Sequence, residues 1–147
     1  MVPVHPECRA LSETLTRHEV GNAQSSDDLA AGGLRVLQRL DRHLRTVLGV
    51  VGFQALLDRS LSQTGKQYVW LSGVHTESDG SLPGLRERVD GLSAAEIVNG
   101  LASLLACFVQ LLASLIGVTL AMRLVQRAWP EIDLSEIASR WEEVDRD

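Results

Sequence analysis

Apolar positions recur at spacings of three and four in several separate stretches of the chain, and that period predicts helices. Cys8, Leu11 and Leu15 mark a short amphipathic helix over residues 7–19. Leu37, Leu40, Leu44, Val47 and Val51 share one face of a second helix, which runs to about Leu48. "GVVG" at 49–52 interrupts the pattern, and Phe53, Leu56, Leu57 and Leu61 resume it in a helix ending near Gly65. Between Lys66 and Gly91 the pattern loosens. "YVWLSGV" at 68–74 either finishes that helix or runs extended beneath the bundle, and "TESDGSLPG" at 76–84 reads as turn and loop. Leu85, Val89 and Leu92 suggest one or two further helical turns.

The most apolar stretch, "IVNGLASLLACFVQLLASLIGVTLAM" at 97–122, contains no charged side chain. It lies within a helix predicted over about 93–129. Ser93-Ala94-Ala95-Glu96 is a capping-box sequence that starts it, and Pro130 disfavours helical geometry at Trp129 and stops it. A second capping box, Asp133-Leu134-Ser135-Glu136, opens a last helix that buries Leu134, Ile137, Trp141 and Val144. Ser25 to Asp28 supply N-caps for the second helix.

These elements predict an all-α fold: a bundle of five or six helices around a long central apolar helix. Residues 1–147 form one helical domain, with 1–6 and 21–28 read as a flexible tail and hinge and 73–84 as a long loop. Composition supports the class. Aromatics make up 4%, and the apolar set is dominated by Leu and Ala, which favour helices over strands.

A run of 26 charge-free residues reaches about 39 Å as a helix, enough to span a bilayer. Its wheel is more informative than its length. Asn99, Ser103, Ala106, Gln110, Ser114, Gly117 and Ala121 fall in one small-and-polar strip, while Leu101, Leu105, Phe108, Leu112, Leu115 and Ile116 cover the far side. Small residues on one face suit helix association in membranes. Against that, the segment is the only one of its kind and its flanks carry both signs of charge. The other helices also have single apolar faces that need it as a core. The expected reading is a soluble bundle's central helix, with residues 97–122 as a membrane span kept as the alternative.

Net charge is −5, which opposes attraction to nucleic acid or anionic lipid. Of the fourteen Lys and Arg residues only Lys66 is lysine, a skew expected of high-GC bacterial coding. Cys8 and Cys107 read as buried free thiols, which suits a reducing cytoplasm, and the N-terminus lacks the pattern of a secretory signal.

Arg35, Arg39 and Arg42 line one side of the second helix, with Arg45 close by. They form a candidate stripe for an anion or acidic partner, or a solvated face balanced by Asp27, Asp28 and Asp41. No recognition motif for nucleic acid accompanies them. His5, Glu7 and Cys8 are metal-ligand types, but no second pair stands at ligand spacing. His18, His43 and His75 are scattered singles. No metal, cofactor or catalytic residue is assigned. Trp70, Trp129 and Trp141 are expected core anchors, Trp141 having the best claim to an interface.

The run "GFQALLDRSLSQTGKQYVWLSGVHTESDGSLPGL" followed by "LASLLACFVQLLASLIGVTLAMRLVQRAWP" resembles a family of small uncharacterised bacterial helical proteins. The shared pattern covers about residues 49–130. The resemblance implies a helical fold and transfers no catalytic residue. The expected function is a non-catalytic interaction or adaptor module in a bacterial cytoplasmic assembly, of signalling or anti-phage type. It would bind a protein partner or a second copy of itself through Asn99, Ser103, Gln110, Ser114 and Trp141. The alternative is a small-molecule-binding protein or enzyme with an inter-helix pocket, in which Gln110 converges with Tyr68 or His75.

Overall fold

A computed structural model describes residues 4–74, 77 and 82–145. Among them the chain is all-α: α1 (Pro6–Val20), α2 (Ser26–Thr64), a 3-10 turn (Val69–Leu71), α3 (Leu85–Arg88), α4 (Ala94–Ile116), α5 (Val118–Ala128) and α6 (Ser135–Asp145). α4 is the central element.

The local signals act as expected at most helix ends. Ser25 accepts from the Asp28 amide at 3.1 Å and Ser93 from the Glu96 amide at 3.2 Å, each filling one orphan donor of a first turn. Before α1, His5 plays that part, its Nδ1 accepting from the Glu7 amide, with Pro6 in the first turn where a missing N–H costs nothing. Val4 packs against the core, so residues 4–6 are a capped helix start rather than the expected tail. α5 ends at Ala128, directly before Trp129-Pro130.

Two glycines depart from the expected pattern. Gly49 (φ 76°, ψ 166°) divides α2 into arms 26–48 and 50–64. Gly117 (φ 91°, ψ 153°) divides the helix predicted over 93–129 into α4 and α5, so that prediction of one continuous helix is corrected, and the span 97–122 is not one rod. Side-chain neighbours show how far the chain turns. Gly33 faces Leu101 on α4, whereas Phe53 meets Phe108 at 5.5 Å, Gln63 meets Cys107 and Tyr68 meets Ser103. The first arm therefore climbs α4 and the second descends it.

α1 also descends α4, from His5 beside Gln110 to Thr16 near Leu101. With α5 and α6 it completes the coat. α4 is the one helix among the described residues long and apolar enough to cross a membrane. Leu104, Leu105, Phe108, Val109 and Leu112 on it are buried against α1, both arms of α2 and α5. Trp129, Phe53 and Phe108 are the largest fully buried side chains.

The short connection from α5 to α6 is held by one side chain. Gln126 donates to the carbonyls of Trp129 and Ile132 at 2.9 and 2.6 Å and accepts from the Leu134 amide at 2.9 Å. It satisfies the backbone where Pro130 prevents a ladder.

Candidate functional site

The small-and-polar strip of α4 does not form one surface. Asn99 is exposed. Ser103 donates to the Tyr68 hydroxyl at 3.2 Å, so the lower strip is covered by the segment after α2. Gln110 Oε1 accepts the His5 amide at 3.1 Å, which ties the start of α1 to α4. Ser114 is exposed and donates back to the Gln110 carbonyl. Tyr68 thus engages Ser103 rather than converging with Gln110, and His75 lies outside the described residues together with most of the 76–84 loop. Trp141 is 2% exposed and stacks on the His5 ring at 5.8 Å, so its expected interface role is corrected: it anchors α6 onto α1.

Gln110 and Ser114 instead line an open groove of about 550 Å³ between the second arm of α2 and α4. Leu56, Leu111 and Leu115 form its apolar walls, and Arg59, Gln63 and Cys107 stand on it too. Cys107 donates its thiol to Gln63 Oε1 at 3.4 Å. The sequence pattern marks Gln110, Ser114, Leu56 and Leu115 but not Arg59, Gln63 or Leu111, and it does not show a common space, because α2 reverses at Gly49.

That same reversal exposes the end of the bundle. Spacing puts Val47 and Val51 on one face with Leu37, Leu40 and Leu44, yet they are 50% and 80% exposed, and Leu115 is 67% exposed. Val50 and Leu120 are also exposed. All five lie within a few residues of Gly49 or Gly117. A helix that turns back at its tip offers its last apolar turn to no neighbour.

The arginine stripe is largely taken up inside the molecule. Arg39 makes a bidentate pair with Glu131 at 2.9 and 2.7 Å, reaches Glu19 at 2.8 Å through Nε, and lies 5.6 Å from the Trp129 ring centroid. Trp129 Nε1 donates to the same Glu19 oxygen, 3.0 Å away. Arg35 also pairs with Glu19, while Arg42 stays exposed. The partners are thus Glu19 and Glu131 rather than Asp27 and Asp28; Asp41 pairs with Arg45. The Arg39 hydrogen bonds hold the Glu131 carboxyl down to about 2. Neither glutamate was legible as a partner, since both lie far from Arg39 in sequence.

Burial, and then the charge of Cys107, pushes the Cys8 thiol up to about 12, and burial also pushes the Cys107 thiol up. Both cysteines are free and buried, as expected. His18 contacts Glu131 and His43 contacts the Arg39 carbonyl. No cluster of His, Cys, Asp or Glu suited to a metal occurs among the described residues. No protein-family model, curated protein or solved structure matches this chain.

Proposed function

We propose that this protein is a non-catalytic helical interaction module of a bacterial cytoplasmic assembly, and that it associates with a second copy of itself through the apolar end of the bundle. The observation that carries this reading is the cluster of Val47, Val50, Val51, Leu115 and Leu120, exposed together where the chain reverses twice. No charged residue interrupts 46–57 or 97–122, the segments that build this end. Scattered surface aliphatics need no explanation, but five of them exposed beside two reversals of the chain are the kind of surface a partner buries.

The test is mass by light scattering as concentration rises from micromolar to millimolar. The wild type should gain mass, and Val51→Asp should stay monomeric with an unchanged melting temperature, because Val51 makes little contact in its own chain. A wild type that remains monomeric throughout would overturn the reading. Sedimentation with phosphatidylcholine vesicles, lost in Val51→Asp, would instead assign this end to a bilayer surface.

A further inference from the structure

The groove between the second arm of α2 and α4 has a chemical polarity that points to a ligand class. Three polar side chains gather at its lower part: Arg59, Gln63 and Gln110. Their acceptor capacity is committed inside the chain. Gln110 Oε1 takes the His5 backbone N–H, a group that can only donate, so the amide's orientation is determined and its NH₂ is left to donate elsewhere. Gln63 Oε1 takes the Cys107 thiol.

What remains is two amide NH₂ groups without partners among the described residues and a guanidinium with no salt bridge to an acid there. Arg59 and Cys107 line the same groove. No residue lining the groove is acidic. Asp58, next to Arg59 in sequence, lines a different cavity on the other side of the helix.

The upper part is largely apolar, the Ser114 hydroxyl being turned back to the Gln110 carbonyl. From Arg59 to Gly52 the helix rises ~10 Å, and Leu56, Leu111 and Leu115 wall this length up to the exposed apolar end. The volume of about 550 Å³ falls among small-molecule sites, which run roughly 300–1,000 Å³. An anion that carried a polar body would leave its polar atoms unpaired against leucine.

We propose that this groove binds a free medium-chain fatty acid, its carboxylate held by Arg59 and the Gln63 and Gln110 amides and its chain laid along Leu56, Leu111 and Leu115 toward the apolar end. Charge complementarity selects the head, and the length and chemistry of the walls select the tail. The groove shares Leu115 with the proposed self-association face, so the titration is also run on the monomeric Val51→Asp variant, in which decanoate should still bind.

The experiment is calorimetric titration of the full chain with decanoate below its micelle concentration, with decanol as the uncharged comparison. Alkylation of Cys107 by a maleimide reports occupancy at the site, because Cys107 lines the groove and Cys8 is fully buried. Nuclear magnetic resonance of the Gln63 and Gln110 side-chain amides gives a second, label-free readout. Decanoate should bind saturably, slow the alkylation and shift both amides while leaving Asn99 in place. Arg59→Gln should weaken binding about tenfold, the loss of one charge-assisted contact. Ala55→Trp, at an exposed position on the groove, should abolish binding without lowering the melting temperature. Absence of saturable binding would overturn the proposal. So would equal affinity for decanol, or affinity unchanged by Arg59→Gln or Ala55→Trp.

Discussion

Gly49 and Gly117 turn the chain in the same way at the same end of the bundle, with φ 76°, ψ 166° and φ 91°, ψ 153°. Both lie in a region of backbone space that is essentially restricted to glycine. Each stands between an aliphatic residue and a valine, Leu48 and Val50 in one case and Ile116 and Val118 in the other. A Cβ placed on either would meet no atom within 4 Å. The restriction is therefore torsional and not steric. Gly49→Ala and Gly117→Ala should each destabilise by about 1–3 kcal/mol in urea melts, with far-ultraviolet dichroism unchanged. A neutral result at either position would show that the reversal is made differently.

Gly100 poses the opposite problem. Its backbone is helical, but a Cβ there would fall on the six-membered ring of Trp70. Gly100→Ala should cost about 1–3 kcal/mol through overpacking, despite the better helix propensity of alanine. In a Trp70→Ala background the same substitution should cost little. That non-additivity, measured as a double-mutant cycle, separates the clash from any backbone effect.

Arg39 links α1, α2 and the segment after α5 through Glu19 and Glu131. The Glu19 side chain is only 7% exposed, so Arg39→Ala would leave it without its closest cation and should destabilise by about 3 kcal/mol. Arg42→Ala, on an exposed side chain of the same stripe, should change stability by less than about 0.5 kcal/mol. Equal effects at the two sites would contradict the pairing.

The same network predicts an acid-sensitive step. Glu131 is lowered from an ordinary 4.5 to about 2, chiefly by hydrogen bonds from Arg39. A group with a depressed folded value contributes stability that is present above its unfolded value and lost as pH falls through the folded one. The loss attributable to Glu131 should therefore fall between pH 4.5 and about 2. Melting curves of wild type and Glu131→Gln should converge across this window and differ most above it. The difference should also shrink in high salt, because the carboxylate is near the surface.

Gln126 serves three backbone groups around Pro130. Gln126→Ala would strand the Leu134 amide and the Ile132 carbonyl, while the Trp129 carbonyl keeps the Ile132 amide, and should cost about 1–3 kcal/mol. Hydrogen exchange should quicken at Leu134 before it does within α6. Unchanged protection at Leu134 would show that another group holds the turn.

The helices and their ends were legible because their causes are local. The Ser25 and Ser93 caps, the stop at Trp129-Pro130 and the buried faces of α1 and α4 depend on residues within a turn or two of one another. The candidate sites were legible only as residue types. The pattern marks Gln110 and Ser114 as a polar edge on an apolar helix, but their shared groove with Arg59 and Gln63 depends on the arm of α2 folded back from Gly49. Trp141 was singled out for its narrow stripe, and the stripe is covered by His5 from the other end of the chain.

By itself the sequence determined an all-α chain built on a central apolar helix, because hydrophobic period, capping residues and proline act over a few residues. Only the tertiary structure decided where that chain reverses, which arginines are neutralised and which aliphatics stay in water. A glycine within a helical pattern permits both continuation and reversal, and the choice falls to whichever leaves more apolar surface buried against α4. Arg39 meets Glu131 across 92 residues and Gln110 meets His5 across 105. No local propensity records such pairings, since they exist only once the helices have packed.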